Sequence, residues 1–146
     1  MTQELRGMRV GITATDGVER VELDQPRGAL QGAGAKTDIV SLHHGEIQAR
    51  RFDAVRFVRD FMAGGKPVAS IRHGPWTLAE ADAVRGRRPT SWPSIRTDLR
   101  DAGAEVVDEE VVVDGQLVTS RGPADLPAFC AAVVEQFARA HHPMPG

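Results

Sequence analysis

The chain contains a single cysteine, Cys130, among 146 residues. One thiol excludes an intramolecular disulfide and fits a reducing, cytoplasmic compartment. No apolar run is long enough to span a membrane. The start, Met1-Thr2-Gln3-Glu4-Leu5-Arg6, lacks the apolar segment of a secretory signal. Basic residues are not in excess: the net charge of −2 excludes the electrostatic footprint of a nucleic-acid binder. Metal-ligand spacing is also missing, because His43-His44 and His141-His142 have no partners at zinc-site intervals. Gly32-Ala33-Gly34 ends a helical pattern rather than opening one, so it is no phosphate loop. Arg85-Gly86-Arg87-Arg88 reads as a solvated basic turn. Neither a repeat nor a low-complexity linker interrupts the chain. What remains is 41% apolar and 26% charged, the composition of one globular domain over residues 1–146.

Strand and helix patterns alternate along it. Residues 9–13 (RVGIT) and 37–42 (TDIVSL) read as strands. Between them a helix opens over residues 17–22, is weakened by Pro26, Gly28 and Gly32, and stops at Gly34. Asp53 is placed to cap a second helix with Val55, Val58, Phe61 and Met62 on one face, ended by Gly64-Gly65. Residues 67–71 form the next strand, and Pro75 opens a helix with Leu78, Ala79, Ala81 and Val84 inward. A short strand is predicted at 90–92 and a helix from Pro93, with Ile95 and Leu99 inward, to Gly103. Residues 111–119 predict a hairpin turning on Asp114-Gly115 as a type I′ turn. A last helix begins near Pro123, buries Leu126, Phe129, Val133 and Phe137, and leads to a frayed tail over 141–146. Such alternation defines an α/β class with a mostly parallel sheet, whose site lies at the carboxyl ends of the strands.

One of those strand ends carries a feature of chemical interest. The strand Pro67-Val68-Ala69-Ser70-Ile71 runs into Arg72-His73-Gly74-Pro75. A strand, a sharp turn and a helix start lift one side chain above the sheet. Enzymes place Ser or Cys there, and this chain places Arg72.

Five stretches carry a resemblance. They are Asp16-Gly17-Val18-Glu19-Arg20-Val21-Glu22-Leu23, residues 65–75, Thr90-Ser91-Trp92-Pro93, residues 109–115, and Ser120-Arg121-Gly122-Pro123-Ala124-Asp125-Leu126. In order and spacing they resemble the PfpI-type (ThiJ/PfpI) family of the class I glutamine amidotransferase-like superfamily. That resemblance implies a flavodoxin-like three-layer sandwich and self-association as a homodimer or higher. It implies an ancestral cysteine-dependent hydrolase of peptidase, deglycase or glyoxalase type, or a general stress protein. No cofactor is implied.

The chain departs from this family at the chemistry. Where the family reads Ile-Cys-His-Gly-Pro, this chain reads Ile71-Arg72-His73-Gly74-Pro75. A guanidinium donates hydrogen bonds but does not attack carbon. A family segment of about forty residues, including a central strand that ends in Pro-Gly-Gly, is missing between Ala49 and Arg50. Three fates follow for the exposed neighbours: they close the gap, another chain fills it, or the domain is less stable. In a closed fold the helix beginning at Asp53 is the crossover to the strand at 67–71. Arg72 calls for an acidic partner, for which Glu19 is the family-matched candidate; otherwise it turns to solvent or binds an anion. His73 is expected to be an orienting or partly buried histidine. Cys130 falls in an apolar helical stretch and reads as a buried structural thiol. The expected function is therefore a domain without thiol-dependent catalysis. Its alternatives are residual acid–base work on a reactive carbonyl by Glu19 and His73, or a non-catalytic stress or binding module for a small carbonyl or anionic ligand.

Overall fold

The computed structural model describes residues 4–15, 20–42 and 47–141. β1 (Arg9–Thr15) and β2 (Lys36–Leu42) pair in parallel, from Arg9 opposite Lys36 to Thr15 opposite Leu42. α1 (Arg20–Gly32) joins them and runs through Pro26 without ending. Its burial of Leu30 against α5 (Leu126–His141) outweighs the local proline penalty. Gly34, at φ +102°, reverses the chain after α1, and the Ala35 N–H reaches back to the Leu30 carbonyl at 3.0 Å. That conformation is open to glycine and strained for other residues.

α2 (Ile47–Ala63) leads to β3 (Val68–Ile71). The expected cap Asp53 lies inside α2, six residues after its start. Residues 47–52 contain no glycine or proline, and each residue added to an existing helix gains a backbone bond. The Ala49–Arg50 junction therefore falls within a continuous helix. Met62 and Val58, two of the four residues of the predicted apolar face, pack with Leu78, Val84, Leu99 and Leu117, while Phe61 stacks on Phe57 under Lys66. α3 (Pro75–Glu80) is short, so the buried Ala81 and Val84 follow it rather than belong to it.

β4 (Val111–Asp114) and β5 (Leu117–Ser120) form the hairpin, with Asp114 opposite Leu117. Its two-residue loop is Gly115-Gln116, one residue later than expected. Only Gly115 has positive φ, +59°, which is the pattern of a type II′ turn rather than type I′. Residues 90–92 do not form a strand. They are flanked by Pro89 and Pro93, and the Thr90 N–H takes a side-chain acceptor, Thr119 Oγ1, at 2.9 Å instead of a ladder partner. A 3₁₀ turn, Pro93–Ile95, leads into α4 (Arg96–Asp101), and another, Pro123–Asp125, leads into α5. His141 is helical rather than frayed, and its Nε2 lies 2.9 Å from the Arg6 carbonyl. The rest of the tail lies outside the described residues.

β5 shows how the layers stack. Val118 faces a core with Val10, Leu30, Phe129, Val133 and Phe137, while its neighbour Leu117 faces Met62, Leu78 and Leu99. Alternate strand residues point to opposite faces, so helices cover both sides. The sheet between them is interrupted. Among the described residues β1 pairs with β2, and β3 with β5 in parallel, but β1 and β3 do not pair. Both halves share one helical layer through Val10 and Val118. α2 spans them as the predicted crossover, touching β2 and β3 and bringing Phe57 over Gly11 of β1. Direct closure of the gap is thus not what the fold adopts.

Candidate functional site

Three residues, Arg72, His73 and Gly74, make the bend between β3 and α3. Arg72 sits at φ +62°, a conformation that costs a residue with a Cβ about 1–2 kcal/mol. Its backbone is held from both sides. The Arg72 N–H donates to Ser120 O at 3.2 Å, and the Trp92 N–H donates to Arg72 O at 3.0 Å. Gly74 lets the bend close. A Cβ there would overlap Ser70 Oγ and lie 3.1 Å from the Ile71 carbonyl oxygen, to which the Gly74 N–H donates at 3.0 Å. Pro75, buried, then sets the first helical position of α3.

The Arg72 guanidinium carbon lies 4.8 Å from the Trp92 ring centre. This is a cation–π stack on a half-buried side chain, so Arg72 does not swing out into solvent. Its expected acidic partner, Glu19, lies outside the described residues. Trp92 in turn rests on backbone: a Cβ at Gly122 would stand 3.0 Å from Trp92 Cζ3. His73 is exposed, correcting the expectation of a partly buried ring. Its Nε2 is 3.5 Å from Ser94 Oγ, and its ring centre is 6.1 Å from Trp76 and 6.4 Å from Trp92. Trp76 is 48% exposed and donates its indole N–H to Asp98 Oδ2 at 2.8 Å. The two tryptophans and Ser94 had no role in the sequence reading. The signal was available, since the motif Thr90-Ser91-Trp92-Pro93 recurs with the bend, but which side chain it presses on Arg72 is a long-range fact.

Beside the bend, the chain leaving β5 is clamped by charge. Arg121 grips Asp125 with Nε–Oδ2 and Nη2–Oδ1 contacts of 2.9 Å each, and the Arg121 N–H adds a third at 3.0 Å. Asp125 is buried, and the Arg121 hydrogen bonds hold its carboxyl below the usual range against the opposing effect of burial. Arg121 also reaches Asp108 Oδ1 at 3.1 Å, and Arg96 reaches the same oxygen at 2.9 Å. Ser120, whose carbonyl takes the Arg72 N–H, is the residue before this clamp.

Cys130 lies on α5 against the core around Phe129 and Val133, half-buried rather than fully so. Burial pushes its thiol up, away from the reactive thiolate. No group of three metal-ligating side chains is gathered among the described residues, and His43 and His44 lie outside them.

A helix-covered α/β sandwich whose strand-to-helix bend presents one side chain belongs to the flavodoxin-like class. The chain is a member of the DJ-1/PfpI family, whose model matches residues 48–136. Protein/nucleic acid deglycase 2 of Escherichia coli is 58% identical over 76 residues, covering 51% of this chain and 44% of that protein. This chain thus matches less than half the length of that relative. Deglycase TK1284 of Thermococcus kodakarensis is 36% identical over 163 aligned positions, covering 88% of this chain and 98% of its own. Set against 88% of 146 residues, 163 positions leave roughly 35 of that relative's without a counterpart here. That accords with the expected missing segment. Among solved structures, a two-domain protein of Anabaena variabilis with DJ-1/ThiJ/PfpI-like and ferritin-like domains superposes with a TM-score of 0.78 at 30% identity, covering 88% of this chain and 49% of that one.

Proposed function

We propose that this chain is a deglycase-like family member whose bend binds a small carbonyl-bearing or anionic molecule without covalent thiol chemistry. One observation carries the reading: Arg72 occupies the positive-φ apex and is stacked on Trp92. A guanidinium there offers fixed donors and a permanent charge, and no lone pair for attack. The chain's one thiol is a poor substitute, because burial within the α5 packing pushes Cys130 up. In this reading Glu19 balances the Arg72 charge and His73, exposed beside it, contacts the ligand. The edges that β1 and β3 leave unpaired among the described residues favour association with a second copy. The lone cysteine favours a reducing, cytoplasmic setting.

Methylglyoxal consumption and release of glycated adducts from peptides test the reading, with the chain compared to Arg72→Cys and Cys130→Ser. The expected result is no turnover above buffer for the chain and for Cys130→Ser. A gain on Arg72→Cys would support the reading that residue 72 alone closes the thiol route at the bend. Turnover by the unaltered chain that disappears on thiol alkylation or in Cys130→Ser would overturn the proposal.

A further inference from the structure

The basic turn after α3, read from sequence as solvated, faces a cavity that the bend does not use. It is a groove open to solvent, with a volume of about 280 Å³, and it lies between the end of α2 and the segment after α3. α3, about 9 Å long, separates it from the bend. Three guanidinium-bearing residues line it: Arg59 from α2, and Arg85 and Arg87 from the turn. The opposing charge in the lining is Asp82, which pairs with Arg85 at 3.3 Å. Neither Arg59 nor Arg87 has an ion-pair partner among the described residues. The lining therefore carries an excess of two positive charges on a chain whose net charge is negative.

Its frame is rigid. Asp82 holds φ +54° and Gly86 φ +74°. The Gly86 N–H bonds Gly103 O at 2.9 Å, the Arg87 N–H bonds Val84 O at 3.0 Å, and the Glu105 N–H bonds Arg87 O at 2.8 Å. Arg87 is half-buried, and its Nη1 is 4.0 Å from where a Cβ on Gly115 would stand. The floor is apolar, with Met62 and Ala81 buried.

We propose that this cavity binds a small phosphate-bearing metabolite, with the phosphate held by Arg59 and Arg87 and a short carbon body on Met62 and Ala81. Guanidinium forks match phosphate oxygens in a bidentate manner. The volume suits a compact organic phosphate rather than a drug-sized ligand. Arg85, already paired with Asp82, closes the rim. The proposal does not depend on the reading of the bend.

Titration calorimetry at fixed ionic strength, with inorganic phosphate and glycerol phosphate as probes, tests it. Both probes are expected to bind saturably, with Arg59→Gln and Arg87→Gln each weakening binding roughly tenfold. Arg139→Gln, on the exposed surface of α5, leaves it unchanged. Tighter binding of the ester supports the carbon body on the floor, and equal binding assigns the site to free phosphate. Thermal melts of the ligand-free variants check the fold, and Arg87→Lys, which keeps charge but not the fork, should fall between. Non-saturating heats, or equal weakening in Arg139→Gln, would overturn the proposal.

Discussion

The bend at 72–74 closes because residue 74 has no side chain, and Gly74→Ala tests that statement quantitatively. Gly74 is not in a glycine-only conformation: its φ of −52° and ψ of −38° are helical and open to alanine. Whatever the substitution costs is therefore steric. The new Cβ would overlap Ser70 Oγ and stand 3.1 Å from Ile71 O and 3.3 Å from Ile71 N. Ser70 can rotate its hydroxyl away. The Ile71 backbone cannot yield as freely, because its carbonyl takes the Gly74 N–H and its residue ends β3 opposite Ser120. Overfilling a packed site by one methyl costs about 1–3 kcal/mol, which in a chain of this size lowers the melting temperature by roughly 3–10 °C. The assay is thermal unfolding by circular dichroism of Gly74→Ala, Ser70→Ala and the double variant. Ser70→Ala is expected to recover less than half of the loss, since the backbone contacts remain. A Gly74→Ala melt within 1 °C of the parent would refute the reasoning, as would complete recovery in the double variant.

Two further substitutions probe the surroundings of Arg72. Gly122→Ala pushes a Cβ to within 3.0–3.1 Å of the Trp92 ring; it should shift the tryptophan emission and cost about 1 kcal/mol as the stack on Arg72 loosens, and an unchanged spectrum would count against that stack. Asp125→Asn removes the charge that Arg121 grips. Breaking a buried pair costs several kcal/mol, but Arg121 is 34% exposed, so solvent screening reduces the expected loss to about 2 kcal/mol at neutral pH. The sign with pH follows from the lowered carboxyl. A depressed folded pKa adds stability above the unfolded aspartate value near 4 and loses it as pH falls through the folded value. The gap between parent and Asp125→Asn in urea melts should therefore be full at pH 7 and shrink below about pH 4; a gap that is constant with pH would mean that the clamp is not electrostatic.

Much of the architecture is written in short-range pattern. The apolar runs in β1, β2 and β3, the stripe of Leu126, Phe129, Val133 and Phe137 on α5, and the stops at Gly34, Gly65 and Gly103 all depend on a residue and its near neighbours. The bend itself was legible for the same reason, from a strand running into Arg72-His73-Gly74-Pro75. So was its departure from the family, because the identity of residue 72 is a fact of sequence alone. The helix start at Ile47 and the one-residue shift of the hairpin turn were not legible, since Asp53 and Asp114-Gly115 are good local signals that pairing and helix propagation overrode.

Tertiary structure alone decided what touches Arg72. Trp92 is twenty residues away and is seated by Gly122, another thirty on. It also decided that β1 and β3 stay apart, held on one helical layer by Val10, Val118 and Phe129, and that Arg59 meets Arg87 around one cavity. Contacts of this kind join elements whose separation is set by helix packing and loop closure together. No local periodicity encodes the distance between two side chains on different elements.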